Sequence, residues 1–138
     1  MTPEKVVVDA NIAFKALISG RPDLHARFAQ SSNAQFYSPK FFLVELFKYK
    51  ARIVEASGIS EEEFLSSLRT LVNRVEFVSE DAIAIGTWAE AHRLCAEVDP
   101  KDAPYLALTL HLDGLLWTAD TELIAGLEAR GFRRFWRR

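Results

Sequence analysis

The sequence predicts an α/β fold with a parallel sheet of about five strands, and three observations carry that reading. Short apolar strands alternate with helical stretches along the chain. Two of the strands, Val6-Val7-Val8 and Leu115-Leu116-Trp117, are continuous apolar runs, the pattern of strands covered on both faces. The 138 residues suffice to bury the core of one domain, and no repeat, low-complexity segment or Gly-, Pro- or Ser-rich linker divides them.

Residues 5–8 form a β-branched strand that ends at Asp9. Asn11 is placed to cap a helix over 11–19, which Gly20-Arg21-Pro22 terminates before a second helix over 23–30. A short strand at 35–37 leads to Ser38-Pro39, which opens a long helix over 40–56 that Gly58 stops. Ser60 and Glu63 make the S-x-x-E capping box of the next helix, to about Val72. A strand at 75–78 follows. Ser79 with Glu80 and Asp81 then starts a helix reaching about Val98. Asp99-Pro100 has N-cap and N1 character and opens a helix to about Leu112. Gly114 turns the chain into a strand at 115–118, and a helix over 121–129, Gly131 and a last strand at 132–136 complete it.

Composition excludes several classes of protein. With 49% hydrophobic and 26% charged residues the chain has the balance of a globular protein rather than a disordered one. Glu4, Lys5 and Asp9 interrupt any apolar leader, and no apolar run is long enough to span a bilayer, so a soluble, cytoplasmic protein is expected. A single cysteine, Cys95, rules out an internal disulfide or a cysteine zinc site and reads as a small buried hydrophobe. His25, His92 and His111 are scattered and match no metal-ligand pattern. The net charge of −2 offers nucleic acid no bulk attraction, so such contacts need a local patch. One stands at the C-terminus, where Arg130, Arg133, Arg134, Arg137 and Arg138 interleave with Phe132, Phe135 and Trp136. Arg133, Arg134, Arg137 and Arg138 are candidates for holding nucleic-acid phosphates; the competing reading is a solvated strand end whose Phe132 and Trp136 face the core.

The acids carry the functional argument. In a parallel sheet the strands end at one edge, and ligands bind outside that carboxyl edge. Asp9 directly follows the first strand and Asp120 follows the strand at 115–118. Crossover helices begin at the same edge, which places Asp99 and Asp102 in the first turn of their helix, on one face with Ala103, Leu106 and Leu110. Glu45 is about five residues into its helix, ~7 Å from the start at 1.5 Å per residue, sharing a face with Phe41, Phe42 and Tyr49. Each acid has a plainer role open to it: an Asx-turn for Asp9, helix caps for Asp99, Asp102 and Asp120, a surface pair with Lys48 for Glu45. Asn11 has a cap role open to it, and Thr118 that of an ordinary strand residue. All five plain roles would have to hold together to dissolve the cluster. Carboxylates gathered in one cleft repel, so some protonate or a cation sits among them. Oxygen donors without His or Cys select Mg²⁺ or Mn²⁺, ions suited to metal-assisted phosphodiester hydrolysis.

The segments VVVDANI, FFLVELFK, VDPKDAPYLALTL and LLWTADTEL resemble the PIN-domain family in order and spacing, over essentially the whole chain. D-x-N and T-x-D are each weak signals; the D-P-K-D-A-P-Y-L-A-L segment followed by L-W-T-x-D is more specific. The resemblance implies a three-layer α/β fold with about five parallel strands flanked by helices, and an acidic Mg²⁺/Mn²⁺ site that cuts RNA with a metal-activated water. It matches Asp9, Glu45, Asp102 and Asp120 to the family's four acids, Asp99 to an additional acid found in part of it, and Thr118 to the hydroxyl that orients a carboxylate. Asn11 would help Thr118 orient the shell. Thr109 stands where a small alanine is commoner. Many small proteins of this kind are VapC-type toxins, which implies an antitoxin partner and a homodimer. The competing function is a PIN-like RNA-binding or scaffolding module without catalysis, against which the complete acid set argues. A phosphate-accepting receiver-type domain shares the architecture, but the strand at 75–78 ends in Ser79 rather than an aspartate, and the late strand carries no lysine.

Overall fold

The computed structural model describes residues 2–10, 12 and 33–136. The two helices expected over 11–19 and 23–30 fall outside those residues, as do Asn11, Arg137 and Arg138.

Among the described residues four strands make one all-parallel sheet in the order β3-β2-β1-β4: β1 Glu4–Val8, β2 Ala34–Pro39, β3 Val75–Val78 and β4 Leu115–Trp117. The central strand is β1, and Val6, Val7 and Val8 are fully buried, as a strand covered on both faces requires. Around the sheet lie α1 Phe41–Lys48, α2 Lys50–Ser57, α3 Glu61–Arg74, α4 Ile85–Cys95, α5 Ala103–Leu112 and α6 Thr121–Ala129. The α/β class and parallel sheet are those the sequence predicts. No described helix is long and apolar enough to cross a membrane.

The expected fifth strand is reduced to one parallel bridge, Phe135 against Leu116. Leu116 N–H donates to Arg134 O and Trp136 N–H to Leu116 O, both at 2.9 Å, and the segment is held by its rings rather than by a ladder. Trp136 packs edge-on against Trp117 and Phe36, at 4.7 and 5.6 Å between ring centroids, and its Nε1 donates to Glu4 Oε2 at 3.1 Å.

Three helix expectations need correction. The helix over 40–56 is two helices, because Tyr49 leaves helical geometry (φ −102°, ψ 6°) with no Gly or Pro to announce it. Ser38 and Pro39 belong to β2 instead of opening that helix; they pair with Phe77 and Val78. The helix over 79–98 is a 3-10 turn, Glu80–Ala82, followed by extended Ile83 and Ala84, and only then α4. Burying the Ile83 side chain fixes that break. The helix from Asp99 likewise starts as a 3-10 turn, Pro100–Asp102, before α5 begins at Ala103.

Local signals elsewhere hold. The Ser60–Glu63 capping box is reciprocal, Glu63 N–H to Ser60 Oγ at 3.0 Å and Ser60 N–H to Glu63 Oε1 at 3.3 Å. Cys95 is fully buried. The core closes around α5, in which Tyr105 to Thr109 are all buried and which packs on β1, β2, β4 and α4. Thr109 fits there because its hydroxyl donates to Tyr105 O at 2.8 Å, one turn back.

Candidate active site

From β1 the chain steps to β2 and β3 on one side, then crosses to β4 on the other. The crevice between the carboxyl ends of β1 and β4 is thus the switch point at which parallel sheets bind ligands. Asp9 sits there, only 2% exposed, its N–H donating to Trp117 O of β4 at 3.0 Å.

Thr118 links the two strand ends. Its hydroxyl donates to Asp9 Oδ2 at 2.8 Å and accepts from Asp120 N–H at 3.1 Å. Asp120 caps α6, with Oδ1 accepting from Glu122 N–H and Leu123 N–H, both at 3.1 Å. Its capping role is therefore real, and it occupies one carboxylate oxygen.

Asp99 also caps, accepting from Lys101 N–H at 3.1 Å. Asp102 behaves differently. Because the 3-10 turn intervenes, it is the N-cap of α5 rather than its third residue, and it makes no cap bond. Pro104 has no N–H to offer it. Asp102 Oδ2 is buried and lacks a hydrogen-bond partner among the described residues. Burial, then the charges of Asp9, Asp99, Asp120 and Glu45 in that order, push its carboxyl up to about 8. The structure thus brings the five acids into one electrostatic neighbourhood centred on Asp102.

Glu45 reaches this neighbourhood from the middle of α1. Tyr105 OH donates to its Oε1 at 2.5 Å. Burial raises the Glu45 carboxyl and Asp99 adds to that, while the Tyr105 hydrogen bond, Lys48 and Lys101 oppose it. Burial and the adjoining carboxylates drive the Tyr105 hydroxyl far above its ordinary range, so it stays a donor.

Two contributors lie outside the set the sequence reading singles out. Ser38, fully buried, donates to Val8 O at 3.0 Å and ties down the strand end that carries Asp9. Tyr105 did have a signal: Asp102, Tyr105 and Thr109 form a polar row at i, i+3 and i+7 on an otherwise apolar helix.

The C-terminal arginines take separate paths. Arg134 pairs with Asp113 and lies over the Phe132 ring. Asp113 precedes β4, so this pair is at the amino edge, away from the acids. Arg130 is bound to Glu97 at 2.7 Å, and Arg133 is exposed. Phe132 and Trp136 face the core.

Five carboxylates around an oxygen that lacks a partner among the described residues suit a hard divalent cation in donor chemistry, and the nearby Cys95 thiol is buried and raised by that burial, which keeps it protonated. Among the described residues no three His, Cys, Asp or Glu side chains stand as a ready-made ligand group, so the carboxylates would have to be drawn inward by the ion.

Fold and site define a class: a parallel α/β domain with a carboxylate-only site at its switch point. The chain belongs to the PIN-domain family, whose model matches residues 7–136. Its fold is similar to the crystal structure of VapBC2 from Rickettsia felis bound to a DNA fragment from their promoter, with a TM-score of 0.64 and 15% identity over 84% of this chain and 88% of that one. A comparison with curated proteins gives no match.

Proposed function

We propose that the protein is a metal-dependent endoribonuclease of the VapC type. Asp9, Asp102 and Asp120 would be the principal ligands of Mg²⁺ or Mn²⁺, with Glu45 and Asp99 completing the shell. One observation carries this reading: Asp102, at the head of α5, has a buried oxygen with no partner among the described residues, within the field of four other acids. A capping aspartate would accept from a backbone N–H, as Asp99 does from Lys101, and Asp102 does not. Family membership and the VapBC2-like fold support the same reading.

Held by Asp9, Asp102 and Asp120, a Mg²⁺ or Mn²⁺ ion would supply Lewis-acid activation of water for phosphodiester hydrolysis. The chain's own residues prepare the site. Thr118 fixes the Asp9 carboxylate and is itself held by Asp120 N–H, so three groups from two strand ends keep one geometry. Asp120 uses Oδ1 to cap its helix, and its second carboxylate oxygen would be the one to hold the ion. Tyr105 holds Glu45. Buried Val8 and Trp117, directly beneath the site, limit its solvation.

The protein partner in this reading is an antitoxin, and the chain pairs with itself as a homodimer. Val44 and Phe47 of α1 are 60% and 53% exposed, and Phe47 lines a cavity of about 500 Å³ with Ala51, Val54 and the charged Lys48, Lys50, Glu55 and Glu61, a mixed surface that a partner would cover.

The deciding experiment incubates single-stranded RNA with the wild type and Asp9→Asn in Mn²⁺, Mg²⁺ or EDTA. Cleavage is expected only for the wild type and only with metal. Equal cleavage by the variant, or undiminished cleavage in EDTA, would remove the nuclease assignment from these residues and favour an RNA-binding or scaffolding module.

A further inference from the structure

We infer that Tyr105 is a positioning residue of the acidic site, holding the Glu45 carboxylate of α1 in register with Asp99 and Asp102 at the head of α5. The inference rests on the metal-site reading above and goes beyond it, since Tyr105 is neither one of the acids nor the hydroxyl that serves Asp9.

Tyr105 is 1% exposed in a helix stretch otherwise filled by Leu and Ala. A phenylalanine would fill that space equally well. A buried tyrosine hydroxyl needs a partner, and here the partner is Glu45 Oε1 at 2.5 Å, not a backbone carbonyl. The bond joins residues 60 positions apart and spans two elements with different supports. Helix α1 packs mainly on β2 and α2, whereas α5 packs on β1, β2 and β4. Glu45 and the aspartates at the head of α5 therefore ride on different helices, which share β2 but otherwise differ in support, and the Tyr105–Glu45 bond is a side-chain tie between those helices. The base of the tie is fixed too, by Thr109 Oγ1 on Tyr105 O at 2.8 Å. Groups that orient a metal-binding carboxylate in this way typically change metal affinity about 10–100-fold when removed.

The test is a Mn²⁺ titration by calorimetry, on the wild type, Tyr105→Phe, Glu45→Ala and the double variant. Tyr105→Phe keeps the ring and should weaken Mn²⁺ binding about tenfold. In the Glu45→Ala background the same change should have no further effect, because the hydroxyl acts through that carboxylate. Glu45→Asp, which shortens the reach by one methylene, should bind Mn²⁺ as weakly as Tyr105→Phe and be insensitive to adding it. A structural tyrosine would instead lower the melting temperature in EDTA in both backgrounds and leave Mn²⁺ affinity unchanged, which overturns the inference. A wild type that binds Mn²⁺ and cuts RNA while Tyr105→Phe binds equally well defeats this inference alone. A wild type that binds no Mn²⁺ defeats both it and the metal-site reading.

Discussion

Replacing Asp102 with asparagine separates a strained acid from a helix cap. In the native protein the Asp102 carboxyl is raised from 3.8 to about 8 by burial and by Asp9, Asp99, Asp120 and Glu45. The sign follows from linkage. A raised native value means the folded state binds the proton more tightly than the unfolded chain, so its contribution is neutral below the ordinary carboxylate range. Stability is then lost as pH rises toward 8, where the loss is complete. At about 1.4 kcal/mol per tenfold change in proton affinity, the cost at neutral pH has an upper bound of about 4 kcal/mol. Asp102 is only partly buried, and solvent screening brings this to roughly 2 kcal/mol. Asp102→Asn removes that cost and forfeits no cap bond, because Asp102 makes none. For a chain of this size the variant should melt about 5–8 °C above the wild type in EDTA at neutral pH. The gap should close as the pH approaches 4. In Mn²⁺ the order should narrow or reverse, since a ligand stabilises the fold only as far as it binds the native state. The assay is a pair of melting curves per protein, in EDTA and in Mn²⁺, repeated across pH. A variant that melts lower in EDTA at neutral pH yet keeps the full Mn²⁺ gain would refute the reasoning and make Asp102 a cap.

Two further outcomes are expected. Thr118→Val removes the hydroxyl between Asp9 and Asp120 with little change in shape, and should slow RNA cleavage about 10–100-fold while Thr118→Ser keeps most of it; single-turnover rates at saturating Mn²⁺ decide, and a wild-type rate for the valine variant would make Thr118 a mere turn residue. If the terminal arginines hold phosphates, Arg137→Ala with Arg138→Ala should reduce the slope of log affinity for single-stranded RNA against log salt by up to ~1.4. An unchanged slope returns the tail to a solvated strand end, the role Arg134 already shows by pairing with Asp113.

The sequence by itself determined the class of fold and the edge at which the acids gather. Valine and leucine runs encode buried parallel strands, and residues just after a strand or just before a helix are placed at the carboxyl edge by local order alone. Asp9 and Asp120 were legible for that reason, as were the Ser60–Glu63 box and α6, because caps and periodicity span only a few residues. Tertiary structure decided the rest. No local signal breaks the helix at Tyr49 or pauses the chain at Ile83; packing against the core does. The last strand shrinks to one bridge because the indole of Trp136, packed edge-on against Trp117 and Phe36, holds it where a ladder does not. Above all, the pairing of acids with their supports belongs to the fold. Thr118 meets Asp9 across 109 residues and Tyr105 meets Glu45 across 60, distances in sequence that only the strand order β3-β2-β1-β4 brings together. Asp102 Oδ2 is left without a partner among the described residues by the same assembly: a 3-10 turn and Pro104 deprive it of backbone donors, and the acids at the strand ends surround it with like charge.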